Sequence, residues 1–442
     1  MWWWVECSDR ATAWGAAKGP AEAEERILAS ALGEHLSARL RFMPVLLLQA
    51  VGSASTAVCT ILLARTLGPA AQGAFSSFKA DFDLLAGAGM LGLPQAIIYY
   101  LGKQKLSRRR VLRLSLWQTS LVAVVVTGLF LAVPLEPVVQ QAGFDVVLLA
   151  AAAVAALVVH GNARALVLVD GSASLFAFVT VLPSLAVVAT LAGAIWTLQP
   201  HWSASVSLQI STFTIAYVPA AALAWMFASA RPAAERVQSE EPIKSLLIYG
   251  STTFILATLQ SAAQVGALQW IRRGLGDQAG VGIFAAGTMI ASTALLPVNY
   301  LGPLVFKSWI AGSGALRWSQ LHRWIGALGA LTAAMLVAFA LGYRPIVNAV
   351  FGEQYTSHGA VLPLLLATAF PMGSRNLLHI YVFAGGRPWL AMPGELTRQV
   401  ALVIGAASST QVLQVAVTWV IAESLGAIVT WFMALSLHRR QR

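Results

Sequence analysis

The feature that most constrains this chain is a succession of apolar stretches that fills nearly everything after residue 43. They fall at 44–64, 74–101, 113–133, 145–168, 174–198, 203–228, 245–271, 282–306, 322–342, 359–384, 388–408 and 412–437. A helix of about 20 residues crosses the hydrocarbon core of a bilayer. Segments that are apolar all round suit lipid, and in lipid each segment must satisfy its own backbone amides, which makes them helices. The chain reads as an all-α integral membrane protein of about 12 transmembrane helices. Composition agrees: 58% of the 442 residues are hydrophobic and 11% charged, against about 25% charged in soluble domains. Nothing is left over for a large soluble domain. Pro94, Pro183, Pro219, Pro297 and Pro371 fall inside or near the ends of spans and imply bent helices.

Residues 1–43 form a polar tail in which Ile27, Leu28, Ala31, Leu32, Leu36 and Leu40 recur at helical spacing. It reads as an amphipathic helix on the membrane surface, or as sequence ahead of a true start at Met43. Trp2–Trp4 are followed by polar residues, so a cleavable signal peptide is not expected. Cys7 and Cys59 make neither a metal cluster nor a disulfide framework.

The charge of +11 would suggest nucleic acid in a soluble protein. Here the basic residues flank spans, and they set topology instead. One side holds only Arg65, Arg272, Arg273 and Arg344, while Lys79, Arg375 and Arg398 lie within spans. The rest of the 29 Lys and Arg, with Arg164 among them and Lys103, Lys105, Arg108, Arg109, Arg110 and Arg113 as the strongest anchor, fall on the other side. That side is expected to be cytoplasmic, with both termini. The implied organisation is a tail at 1–43, a six-helix bundle at 44–228, a linker at 229–244, a second bundle at 245–437 and a short tail at 438–442.

The first and seventh spans end alike. Residues 65–75 read RTLGPAAQGAF and residues 273–284 read RGLGDQAGVGIF. Arg65 aligns with Arg273, Gly68 with Gly276, and Gly73 with Gly282 after one insertion. With six spans per half, the repeats have one orientation and are related by an axis along the membrane normal.

These residues also carry a family likeness. Ala64-Arg65, Leu67-Gly68-Pro69, Gly73-x-Phe75 and Gly92-Leu93-Pro94 before a basic loop, with AGGRP at 384–388, resemble the polysaccharide-exporter branch of the MOP flippases, typified by O-antigen repeat-unit flippases. The resemblance implies two pseudo-symmetric six-helix bundles around a central cavity. It implies movement of a lipid-linked oligosaccharide between leaflets of a bacterial cytoplasmic membrane. The partners it implies are that lipid-linked glycan, membrane lipids, and glycan polymerases and glycosyltransferases of the same pathway. No cofactor is implied.

Charges inside spans are costly and face an interior or one another, so they are the first candidates. Lys79 and Asp83 share one helical face and can pair; Lys79 is a candidate phosphate ligand, with Asp81 and Asp83 candidates for coupling. The alternative is a structural ion pair. Arg65 and Arg273 are candidate substrate ligands, or arginines that offset a helix dipole and snorkel. Arg375, beside Asn376, and Glu423 are a candidate binding and gating pair, or a structural bridge. Glu395 and Arg398, three apart, pair with each other. Thr253, Gln260 and Gln264 share a face; Gln260 and Gln264 are candidate sugar ligands, or bonds between helices.

Catalytic patterns are absent: no HExxH, no P-loop, no paired cysteines, and histidines without metal spacing. The protein is expected not to be an enzyme. A drug or cation antiporter of the same superfamily is one rival reading; the absence of Asp and Glu from 44–64 and 245–271 weighs against it. A membrane glycan polymerase or ligase is another, but the connection 343–358 offers it only Arg344, Glu353 and His358. A scaffold would leave the intramembrane charges unexplained.

Overall fold

The computed structural model describes residues 20–132, 144–198, 205–230, 243–311 and 318–441. Residues 1–19 and 231–242, which hold the start of the tail and most of the expected linker, lie outside them, as do the side chains of 20–42. The helices are α1 (Pro20–Gly89), α2 (Leu93–Gly102), α3 (Arg108–Ala132), α4 (Phe144–Asp170), α5 (Ala173–Leu198), α6 (Val206–Ile215), α7 (Tyr217–Ser229) and α8 (Ile243–Gln269). They continue with α9 (Gln278–Ala294), α10 (Leu296–Ala311), α11 (Trp318–Val350), α12 (Val361–Ala367), α13 (Ala369–Ala384), α14 (Met392–Ala407) and α15 (Val412–Gln441).

Among the described residues, nine helices are long and apolar enough to cross a membrane, or ten counting α9 with α10, which meet at a 45° bend. Met43–Gly102 enters this count as one helix, and α14, at 16 residues, is too short to enter it. Gly68, at φ 70° and ψ 173°, breaks α1, and Pro69 restarts it. A side chain at Gly68 would be strained, and the proline that follows bars the preceding residue from the helical region. Counting the break at 68 and the short α14, the described residues make about twelve helical passages.

The breaks follow the prolines. Pro94, Pro219, Pro297 and Pro371 sit in the first turn of α2, α7, α10 and α13, where a missing amide costs nothing. Pro183 alone of the expected five lies deep inside a helix, α5. The second passage resumes at Pro69 rather than 74, and the connection expected at 343–358 is mostly helical, running to Val350 past a break at Gly342. The small residues of the eleventh span serve packing. A Cβ on Gly394 would lie 2.7 Å from Gly426 O, so α14 and α15 touch backbone to backbone.

Contacts between passages define two ends. At the basic end, Arg108 pairs with Asp170 and donates to Ala228 O, Tyr100 donates to Ser245 O (3.0 Å), and Tyr381 meets His438 (3.3 Å). At the opposite end, Arg65 donates to Asn348 O (3.4 Å) and to Ala349 O, and the Tyr355 hydroxyl donates to Gln72 Oε1. Burial pushes the Tyr355 phenol above its usual range, so it stays a donor.

A phenylalanine core fills the first half, with Phe75 edge-on to Phe213 at 5.4 Å. The second half is built around pairs such as Phe284 and Trp419, at 5.6 Å.

Candidate functional site

Between the halves lies a partly open cavity of about 590 Å³. Its first-half wall comes from α2 (Pro94, Gln95, Ile98), α4 (Leu157, His160, Gly161, Arg164) and Phe176 of α5. Its second-half wall comes from Gln260 of α8, Ser292 of α9, Asn299, Pro303 and Phe306 of α10, and Asn376, His379 and Ile380 of α13. Breaks in three passages shape this space. Gly92 (φ 67°) opens α2 against α8, where a Cβ would run into Gly250 O and stand 2.8 Å from Phe254 N. The bend at 294–296 and the break before α13 angle the facing wall.

The electrostatics of the cavity have one sign. Among its described lining residues, Arg164 is the one permanently charged side chain, and none is Asp or Glu. The Arg164 guanidinium lies 5.4 Å over the Phe176 ring, a cation–π contact that orients it without neutralising it. His160, one turn before Arg164, has Nε2 2.9 Å from Val179 O. A carbonyl only accepts, so Nε2 carries the hydrogen. His379 on the opposite wall is buried, and its Nε2 has no hydrogen-bond partner. Gln260 donates to Asn376 Oδ1 at 3.3 Å. The remaining walls are largely apolar.

Of the residues singled out in the sequence, the cavity takes in Gln260; Gln264 is exposed beyond it. Lys79 and Asp83 do pair, one turn apart, with side chains 33% and 42% exposed. Lys79 also stands 5.9 Å from the Phe213 ring. Asp81 is buried on the same passage. Arg65 and Arg273 are both exposed at the end opposite the basic loop, Arg65 on the carbonyls of α11 and Arg273 in the turn Trp270–Gly274. Thr253 donates to Gly92 O at 3.3 Å, holding α8 against the start of α2.

Arg375, Glu395, Arg398 and Glu423 form a closed quartet outside the cavity. Glu395 pairs with both arginines. Glu423 pairs with Arg375 Nη2 (3.2 Å) and Arg398 Nε (2.7 Å). All four side chains are at most 1% exposed. Two cations and two anions cancel, so the group is neutral where burial of a lone charge would be prohibitive. It also braces the cavity wall: Arg398 donates to Gln260 O (3.4 Å), and Gln399 donates to Leu259 O.

The sequence reading missed Arg164, His160 and His379. Arg164, which the charge asymmetry counts with the basic side, lies within α4 and lines the cavity. The available signal was the spacing of His160 and Arg164, four apart and hence on one helical face.

No family model matches the chain, and no curated protein matches it. Solved structures do. A multidrug resistance MATE family transporter of the MOP superfamily, in an outward-facing conformation, is 14% identical, with a TM-score of 0.64 over 91% of this chain and 95% of that one. A MATE protein in complex with MaD5 is 13% identical, with a TM-score of 0.67 over 91% and 96%. A MOP superfamily transporter from Pyrococcus furiosus, described as having a binding pocket of reversed polarity, is 14% identical, with a TM-score of 0.65 over 91% and 95%. The likeness is one of fold, and it does not single out the exporter branch that the motifs resemble.

Proposed function

We propose that this chain is an alternating-access membrane transporter that moves a lipid-linked oligosaccharide from the inner to the outer leaflet of the cell membrane, with the basic end inside. The observation that carries this reading is the sign of the cavity: its described lining holds the Arg164 guanidinium and no carboxylate. In a largely apolar cleft, one unneutralised guanidinium favours an anion and repels a cation. A glycan carrier with a phosphate head group supplies that anion, hydroxyls for Gln260, Asn299 and Asn376, and an apolar chain for the bilayer. The drug or cation antiporter reading fits the cavity less well. Such a substrate needs an available carboxylate, whereas Asp83, Glu395 and Glu423 are each engaged by a basic side chain.

The test is deletion of the gene, complemented by wild type, Arg164→Gln or Arg164→Lys. Deletion should abolish a surface glycan while its lipid-linked precursor accumulates inside. Arg164→Gln should fail to restore it at normal protein level, and Arg164→Lys should restore part, since charge survives without the planar fork. Unchanged glycan with altered tolerance to cationic drugs would reject the proposal.

A further inference from the structure

Lys307 lies in α10 next to Phe306 and one turn past Pro303, both of which line the cavity. Its ammonium reaches across to the other half of the molecule, donating to Leu168 O (2.7 Å) and Val169 O (3.1 Å). These carbonyls belong to the last turn of α4, where helix oxygens lack intrahelical donors and carry the negative end of the dipole. Arg164 sits one turn before Leu168 on this same helix. Asp170, which ends α4, is held by Arg108, and Arg108 also caps Ala228 O. Arg108 thus ties elements of the first half to one another, whereas Lys307 ties α4 to α10, across the two halves and next to the cavity-lining Phe306.

We infer that the cavity opens toward the basic end between α4 and α10, and that Lys307 is both the latch of this mouth and the docking point for a phosphate head group approaching from that end. The inference rests on the proposed anionic substrate. An ammonium makes charge-assisted hydrogen bonds to carbonyl and phosphate oxygens alike, but the phosphate adds the attraction of an opposite charge in a half-buried site. A phosphate oxygen reaching the half-buried Lys307 displaces Leu168 O and Val169 O, and those carbonyls pass to water at the helix end. The same exchange that seats the head group releases α4 from α10. The head group then lies one helical turn from Arg164, the next cation inward.

The test uses the full chain with Cys7→Ser and Cys59→Ser and a reporter, Ser292→Cys, in the cavity wall. In inside-out membrane vesicles the reporter is labelled by a membrane-impermeant maleimide. Arms contain no anion, soluble inorganic pyrophosphate, or a polyprenyl pyrophosphate in the vesicle lipid. Pyrophosphate in either form should speed labelling several-fold; a response to the lipid-linked form alone assigns the site to a lipid head group. Lys307→Gln should label fast without anion and gain nothing from it, while Lys307→Arg keeps much of the latch and the response. Lys307→Gln labelling at the parental rate would overturn the latch. Fast labelling of Lys307→Gln with no effect of either pyrophosphate on the parent would overturn the docking role. Glycan export, scored in cells for the same variants, shows separately whether the substrate reading stands.

Discussion

Gly73 and Gly282, the matched glycines of the two repeats, pack against each other: a Cβ on Gly73 would stand 3.0 Å from Gly282 N and 2.6 Å from Gln278 O. A Cβ on Gly282 would in turn run into Pro69 O. The preceding repeat glycines, Gly68 and Gly276, both hold positive φ, 70° and 67°. The repeat is thus a structural device used twice. A left-handed glycine ends one passage, and one turn into the next a second glycine admits the backbone of the other half. It joins the two halves at the end opposite Lys307.

Substituting Gly282→Val should open that end. Overpacking at a backbone contact costs about 1–3 kcal/mol, and each 1.4 kcal/mol is a factor of about ten in a two-state ratio. Gln278 Nε2 lies 3.5 Å from Ala70 O, so cysteines at Ala70 and Gln278 report closure. Their disulfide yield should fall sharply in the Gly282→Val background and change little with Gly276→Ala, which meets no atom but only a strained φ. An unchanged yield in Gly282→Val would show that the two halves do not part here.

The buried quartet predicts a stability pattern rather than a transport one. Removing one member leaves the buried group with one uncompensated charge, a loss of about 3–5 kcal/mol. Arg375→Ala and Glu423→Ala should each lower protein level and melting temperature in detergent. The joint replacement of Arg375, Glu395, Arg398 and Glu423 by apolar residues of similar volume should recover much of the stability. Single variants that melt like wild type would mean the quartet is not a brace.

The contrast between this quartet and the cavity shows what the sequence could reveal. Apolar runs are legible because lipid demands them over a whole span. Gly68 and Gly276 are legible because a proline or a polar turn follows a helix end. Glu395 with Arg398 and Lys79 with Asp83 follow from helical spacing, which is local. The link from Arg398 to Glu423, and from Arg375 to both glutamates, depends on how α13, α14 and α15 pack, which no single helix encodes. Arg164 was lost for a related reason: an arginine near a span end is as compatible with snorkelling to the head groups as with turning into a cavity, and only the facing helix decides.

Topology has its own test, since the two ends are structurally distinct. Ser107, in the basic loop, and Thr410, between α14 and α15, lie at opposite ends. In a background with the natural cysteines replaced, a cysteine at Thr410 should label in intact cells with an impermeant thiol reagent, and one at Ser107 should not, because basic loops stay cytoplasmic. The reverse pattern would invert the orientation and, with it, the direction of the proposed transport.

Lys79 and Asp83 pose the last question, whether the pair binds substrate or only satisfies itself. Both side chains are a third or more exposed, so solvent screens the attraction and the pair adds little stability. That weakens the purely structural reading, in which each single change would strand a charge and lower protein level while the double change restores it. If Lys79 instead serves a passing phosphate, with Asp83 as its resting counter-ion, the variants separate differently. Lys79→Ala should insert normally yet export poorly. Lys79→Arg should keep part of the activity, since the charge survives in a different shape. Asp83→Ala should leave a bare ammonium that holds the anion longer, slowing release while sparing binding. Lys79→Ala with Asp83→Ala should be stable and as inactive as Lys79→Ala alone, because the cation is what the substrate needs. Membrane protein amount and glycan export, measured together for these variants, decide the matter: full export by the double variant would remove Lys79 from the pathway.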